Sequence, residues 1–500
     1  MVILVVGIFL RCWQFPTVPV GLNQDEISAA YEAKSLLATG ADRWGERWPA
    51  YFLSWGSGQN VLYSYLTIPV IWILGPTTVA VRLVALIFGI ATLPLMFAVV
   101  RPYAGVWGGL IAMAFTAIAP WHWMISRWGV ESNLLPFWLV LGIYLVDRAV
   151  RRDGRLGIVL SLLPFAVALY AYGVAAIVLA CFIPLLAISL RSEIRRRLGW
   201  WIGAVGAALL VAIPFLLFVL KSEVLHRNLP FESALPFSLP TLTITRLAQL
   251  ANHPTPGQTW ALLGGLLYDG QPEDTLPAIP PLSGAILVLA AVGFVFAIIR
   301  AVRTRGRAVS PFALMLISCV PLFFVIPSII DTRVIAVFLP LIALASTGLI
   351  DLLGLTQIRR ARFALAGVAL VTVLGTSIYA AAIYFSPTYT SYASDEFYPG
   401  FGTAIRTATH LSGDSELYVS QFPQLSYMQV LWYDDISSRT FQASHPTPAD
   451  PDFGRFVFAR KRIDRTVPYY YLISRKYDQP VCSNPTVVWT RGEWSIGRCA

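Results

Sequence analysis

Two carboxylates stand side by side near the start of the chain, in Gly21-Leu22-Asn23-Gln24-Asp25-Glu26, and apolar residues follow them at helical spacing. The pair therefore lies at or beside a helix N-terminus. Carboxylates there have a structural use, because they favour the positive end of the helix dipole and cap free N–H groups. They also have a chemical use, as a base that takes a proton from an attacking hydroxyl. A second polar group, Arg127 and Glu131, stands four residues apart between two apolar runs. On a helix these two share a face and can pair, and at a membrane boundary the arginine can simply extend its head to water. The third group is Asp331-Thr332-Arg333, a polar turn between long apolar segments. Charge that close to hydrocarbon is costly, so it marks either a functional feature or an Asp331–Arg333 pair. His226, in Lys221-Ser222-Glu223-Val224-Leu225-His226-Arg227, is the remaining candidate. Imidazole with carboxylates suits zinc or manganese, whereas a lone histidine near a membrane boundary is often only interfacial.

The elements that must hold these groups are membrane helices. Hydrophobic residues make up 56% of the 500 and charged residues only 13%, with a mean hydropathy of +0.65. A soluble domain carries roughly a quarter charged residues. The apolar segments are 1–10 (extending toward Phe15), 82–100, 105–120, 134–149, 156–171, 173–190, 199–220, 282–300, 310–330, 334–353 and 363–385. That is about eleven, against the roughly 20 apolar residues one crossing needs, and several are short. The first is short for a span, and a cleaved signal peptide is its rival reading, although no basic leader with a small-residue cleavage site is visible. Whether Met1 is the true start stays open.

Arginine-rich loops at 148–155, 191–197, 300–307 and 359–362 fall on alternate turns, and positively charged loops stay in the cytosol. The opposite face then receives 11–81, 121–133, the turn near Tyr172, 221–281, Asp331–Arg333 and everything after 386, with the N-terminus cytoplasmic. The net charge of +10 lies mostly between apolar runs and forms no nucleic-acid motif. After Phe385 the texture changes to strand-like runs at 417–420, 456–459 and 469–473 and a helix around 402–411. The expected architecture is an all-α polytopic membrane domain over 1–385 with a small extracytoplasmic α/β domain over 386–500. Cys482 and Cys499 fall in that domain, where a disulfide is open to them in an oxidising space.

All the candidate groups share one side of the membrane. A carboxylate base, a second carboxylate and an arginine at membrane level are what sugar transfer from a polyprenyl-phosphate carrier requires, the planar guanidinium holding the departing phosphate. The ordered set of Asp25-Glu26, Gly58-Gln59-Asn60-Val61-Leu62-Tyr63, Val81-Arg82 through Gly89, Ser126-Arg127 with Glu131, and Thr332-Arg333 with Phe338-Leu339-Pro340 resembles the GT-C membrane glycosyltransferases of the protein-mannosyltransferase and lipid A aminoarabinose transferase type. The match runs over roughly residues 10–350.

The resemblance implies that Asp25 is the catalytic acidic residue of the first loop, with Glu26 beside it helping to position the acceptor or a metal. It implies a donor-phosphate contact for Arg333, and Arg127 is a further candidate for that contact. Glu131 stands where similar proteins commonly carry aspartate, so Glu131 and His226 are candidates for metal or acceptor positioning, and a divalent ion is a candidate cofactor. The expected partners are a polyprenyl-phosphate sugar, membrane lipids, and a protein, lipid or glycan acceptor, with inversion at the anomeric carbon. The loop from Tyr268 to Pro281 is long enough to act as a lid. Two rivals remain: a transporter or flippase using Arg127 and Arg333 as stations for an anionic cargo, and a non-catalytic assembly protein. The spans lack the paired broken helices expected of inverted-repeat transporters.

Overall fold

The computed structural model describes every residue except 55–57, 153, 243–254, 269–271, 307, 326–330, 448–450, 459–467, 480–481, 483 and 500, together with the side chains of 262, 265–268 and 331. Among the described residues six helices are long and apolar enough to cross a membrane: Thr78–Ile118, Glu131–Arg152, Leu198–Leu225, Gly284–Arg303, Thr332–Leu355 and Arg359–Tyr384. Shorter apolar helices cover Val2–Cys12, Leu62–Leu74, Arg155–Ala171, Val174–Ser189 and Pro311–Val325. We label Val2–Cys12, Gln24–Thr39, Leu62–Leu74 and Thr78–Ile118 as α1 to α4. The chain is a multi-pass membrane protein.

The segments read at 82–100 and 105–120 both fall within α4, which is non-helical at Ala104 and at Gly105 (φ 69°, ψ −172°). A Cβ added to Gly109 would sit 2.8 Å from the carbonyl oxygen of Phe97. Twelve residues of straight helix span about 18 Å, so the chain must reverse at the glycine and return alongside itself. The run at 156–171 is likewise interrupted, into Arg155–Leu160 and Leu163–Ala171.

The stretch 11–81 carries the helix expected after Asp25-Glu26, α2, and a second helix, α3, that the sequence reading did not single out. α3 is apolar but only 13 residues long, with Pro69 inside it. α2 begins where the carboxylates led us to expect: Asn23 caps it in a reciprocal capping box with Glu26, and Gly40, left-handed at φ 70°, ends it.

The helix that follows Arg333 is anchored by close backbone contact. A Cβ on Gly293 would meet the Leu344 carbonyl oxygen at 2.0 Å, and one on Gly348 would meet the Leu289 oxygen at 2.4 Å. Small residues let two apolar helices touch backbone to backbone, which in lipid supplies the packing that the hydrophobic effect cannot.

From Pro387 onward the chain forms a C-terminal α/β unit. Its strands are Leu417–Val419 (β1), Phe456–Val457 (β2), Tyr469–Ser474 (β3), Pro485–Arg491 (β4) and Trp494–Cys499 (β5), in the order β2-β1-β3-β5-β4. β1 pairs in parallel with β2 and β3, and β3, β5 and β4 pair antiparallel. The first three strands and the helix Phe401–Ser412 match the expected runs, while the β4–β5 hairpin lies beyond them. Cys482 and Cys499 are joined in a disulfide. This unit shares a hydrophobic core with α2: Leu22, Ile27, Ala30 and Tyr31 pack with Phe401, Ile405, Met428 and Leu431. α2 is thus held between the membrane helices and the C-terminal unit.

Candidate active site

Asp25 and Glu26 are neighbours in sequence but not in environment. Asp25 is the second residue of α2 and half-buried, and its backbone N–H donates to Asn23 Oδ1 at 2.8 Å. Glu26 is fully enclosed and accepts four hydrogen bonds: from Arg82 Nε (2.8 Å) and Nη2 (2.9 Å), from the Gly129 N–H (2.7 Å) and from the Asn23 N–H (3.1 Å). Arg82, equally buried, spends its remaining donors on the carbonyls of Pro16, Pro19 and Gly21. A buried charge pair survives only when it is hydrogen-bonded this completely. Glu26 is therefore a tie between α2, α4 and the Gly129 loop, and it supports Asp25 from behind.

Arg127 is also buried and committed. Its Nη1 donates to the carbonyls of Leu10 (3.2 Å) and Arg11 (2.7 Å), its Nη2 to that of Val18 (3.1 Å), and its guanidinium lies 5.0 Å from the ring centroid of Phe385 and 5.5 Å from that of Tyr384. These contacts fasten the end of α1 to the end of the Arg359–Tyr384 helix. Arg127 does not pair with Glu131 in these bonds, although the two stand four apart, because residues 126–130 form a turn rather than a helix.

Glu131 opens a short 3-10 turn, Glu131–Leu134, and lies almost wholly buried. Its Oε2 accepts from Gln59 Nε2 at 2.9 Å; Gln59 Oε1 accepts from Ser28 Oγ at 3.0 Å; Ser28 Oγ accepts from Arg43 Nη1 at 2.9 Å; and Arg43 pairs with Glu32 at 3.1 Å. This relay runs from the Glu131 turn to the body of α2. The Glu131 turn packs in turn on the 3-10 segment Asp331–Val337, which carries Arg333, half-buried. The structure therefore brings the Asp25 helix, Glu131 and the Arg333 segment into one neighbourhood. The expected Asp331–Arg333 pairing lies outside the described residues, as do Ile330 and part of the lid loop at 269–271.

His226 stands elsewhere, exposed at the left-handed end (φ 50°) of the π-helix Leu220–Leu225. Among the described residues no group of three or more His, Cys, Asp or Glu side chains could hold a metal ion.

Two features of the site were not legible in the sequence. Gln59 belongs to a motif singled out above, yet nothing local identifies it as the link between Ser28 and Glu131. The second feature is a carboxyl cluster beside α2. Glu273 and Glu396 lie close enough for each to perturb the other's titration. Burial pushes both upward in pKa, the charges of Glu396 and Asp274 add to this at Glu273, and the charge of Asp25 adds to it at Glu396. Asp274 is buried and raised to about 7 by desolvation, the Trp128 indole N–H bonded to its Oδ1 at 3.1 Å offsetting part of that. The loop Pro272–Leu276 is thereby seated against the C-terminal unit, where Tyr389 also donates to the Pro272 carbonyl at 2.9 Å. The sequence offered only adjacent acidic residues in a turn-rich loop.

An apolar groove of about 440 Å³ begins one turn beyond Arg333, lined by Val337, Leu341, Leu287, Leu316, Phe323 and Phe324, with Thr259 at its edge. Phe324 is 57% exposed, so the groove opens on the surface of the helical bundle.

No family model matches the sequence, and no curated protein does. Solved structures match over nearly the whole chain. ArnT from Cupriavidus metallidurans in the apo state superposes with a TM-score of 0.58 at 15% identity, over 99% of this chain and 96% of that one. The same protein bound to undecaprenyl phosphate gives 0.52 at 13% identity, with the same coverage. The archaeal oligosaccharyltransferase AglB from Archaeoglobus fulgidus, in complex with an inhibitory peptide and a dolichol-phosphate, gives 0.54 at 13% identity over 86% of this chain and 63% of that one. At these identities the likeness is one of fold. The chain shares the fold of ArnT over nearly its whole length and that of AglB over most of it, in keeping with the resemblance drawn from the ordered motifs.

Proposed function

We propose that this protein is a glycosyltransferase that moves a sugar from a polyprenyl-phosphate carrier to an acceptor at the extracytoplasmic face of the membrane, through about eleven crossings of the bilayer. The observation that carries the reading is a chain of contacts: the helix that begins at the half-buried Asp25 is tied through Ser28 and Gln59 to Glu131, the Glu131 turn packs on the Arg333 segment, and that segment borders an apolar groove. A lipid tail in the groove would stay among apolar side chains while its phosphate rose to Arg333. The solved complexes of ArnT with undecaprenyl phosphate and of AglB with a dolichol-phosphate support a donor of this class.

In this mechanism Asp25 takes the proton from the acceptor nucleophile as that nucleophile attacks the anomeric carbon. The bond from that carbon to the phosphate oxygen breaks, and polyprenyl phosphate leaves with the electron pair. Arg333 stabilises the charge left on the phosphate through its planar donors. A single displacement of this kind inverts the anomeric centre. Glu131, held by Gln59, positions the acceptor, and Glu26 and Arg127 hold the frame. A general base contributes about 10²–10⁴-fold to such a step. The C-terminal unit stands outside with the acceptor, and the N-terminus stays cytoplasmic.

The test is purified protein supplied with a panel of sugar-labelled polyprenyl-phosphate glycosides and a cell-envelope acceptor fraction, alongside Asp25→Asn. Transfer by the parent and loss in the variant is the expected result. Normal turnover by Asp25→Asn refutes the base assignment, and movement of intact donor across a bilayer without cleavage replaces the enzyme with a transporter.

A further inference from the structure

Every residue from Gly21 to Gln24, the four preceding Asp25, is held by the C-terminal unit. Gly21, at φ +96°, lies against the Phe397 backbone so closely that a Cβ there would meet its carbonyl oxygen at 1.9 Å. Gln429 Nε2 donates to the Leu22 carbonyl at 3.1 Å, and both residues are buried. Asn23 uses one amide at both ends: Oδ1 accepts from the Asp25 N–H, while Nδ2 donates to the Glu396 carbonyl at 3.0 Å. The Tyr398 hydroxyl donates to Gln24 Oε1 at 2.6 Å. Three of these contacts come from the segment Glu396 to Tyr398, and a few residues before it Tyr389 donates to the Pro272 carbonyl at 2.9 Å.

The geometry points to Tyr398 and Gln429 as positioning residues for Asp25, so that the C-terminal unit, more than 370 residues along the chain, sets the orientation of the catalytic carboxylate. This rests on the reading of Asp25 as base. The physical argument is that an N-terminal helical residue takes its direction from its cap, and this cap is shared between two parts of the protein. A base must stand within hydrogen-bond reach of the proton it takes, and a displacement of about 1 Å from that geometry costs on the order of 100-fold in rate.

The same unit also grips the far end of α2, where Lys34 pairs with Asp435 at 2.7 Å and Gln442 donates to Ser35 Oγ at 3.2 Å and to the Asp42 carbonyl at 2.6 Å. These distal contacts separate positioning from mere docking. They hold the same helix and the loop after it but lie about three turns or more from the cap, where a small adjustment leaves the first turn in place.

The experiment measures turnover of full-length Tyr398→Phe and Gln429→Leu against Lys34→Ala and Gln442→Ala, with the labelled polyprenyl-phosphate glycosides above. Tyr398→Phe removes only an oxygen and keeps the ring, so it folds even if Gln429→Leu does not. The expected result is a fall in kcat of about tenfold for Tyr398→Phe with the donor KM unchanged, since only the base has moved and the phosphate site has not. The distal variants keep the parental kcat. Parental kcat in Tyr398→Phe overturns the inference while leaving the function standing, provided Asp25→Asn is inactive. An equal loss in the distal variants also overturns it, by reducing the effect to docking. Absence of transfer by the parent protein fells the functional reading and this inference together.

Discussion

Glu26→Gln separates the two adjacent carboxylates more sharply than any other change. Glu26 and Arg82 are both fully enclosed, 2.8 Å apart, and the carboxylate accepts four N–H donors. Glutamine keeps one acceptor oxygen, but its NH₂ group then faces donors, and Arg82 is left as a buried cation with only the carbonyls of Pro16, Pro19 and Gly21 around it. Breaking one side of a buried ion pair costs about 3–5 kcal/mol. The three carbonyls retained by Arg82 place the loss near the lower figure, about 3 kcal/mol, with the mismatched amide drawing it upward. In a chain of this size each kcal/mol moves Tm by roughly 1–2 °C, by extension of the trend that larger domains shift less, so the variant should unfold roughly 3–8 °C early. The assay is thermal unfolding of detergent-solubilised protein, with Arg82→Met and the double variant completing a cycle. The double variant should lose less than the sum of the two single ones, because an apolar pair replaces a buried charge at little cost. Asp25→Asn, half-buried in the first turn, should change Tm by under about 1 kcal/mol equivalent while abolishing turnover. A Glu26→Gln protein as stable as the parent, or additive losses in the cycle, would refute the claim that this pair ties the site together.

Arg333→Ala should lower kcat by about 10²–10³-fold, the scale of losing a group that stabilises developing charge, with Arg333→Lys recovering part of it because a point charge lacks the planar fork; steady-state kinetics of donor consumption checks both. Asp274 has a folded pKa of about 7 against an ordinary 3.8, so the folded state holds a proton that the unfolded chain has already released. Stability from this group therefore falls as pH rises through that window, and Glu273 and Glu396 act in the same direction. Asp274→Asn should raise Tm at pH 8 and flatten its dependence on pH, which unfolding curves across pH 5 to 8 would show. Gly293→Val places side-chain atoms where the Leu344 carbonyl already stands, 2.0 Å from the added Cβ, and should reduce the yield of monodisperse protein in size-exclusion chromatography.

What the sequence by itself determined was what depends on near neighbours along the chain. Apolar runs announced most of the membrane helices, since crossing hydrocarbon demands continuous hydrophobicity whatever the partners. Asp25 and Glu26, followed by apolar residues at helical spacing, announced where α2 begins, since carboxylates favour the first turn of a helix. Short apolar and aromatic runs between turn-rich stretches announced the three strands β1, β2 and β3. The tertiary structure decided what each charged residue does. Asp25 and Glu26 look interchangeable in sequence, and only Arg82, delivered from another helix, encloses one and leaves the other half-buried. Arg127 looked suited to a phosphate until the ends of two helices placed carbonyls and rings around it. The Gln59 relay, the Trp128–Asp274 contact and the cap shared with Tyr398 join residues far apart in the chain. A hydrogen bond depends on distance and direction to within a few tenths of an ångström, and between remote residues only packing supplies that accuracy.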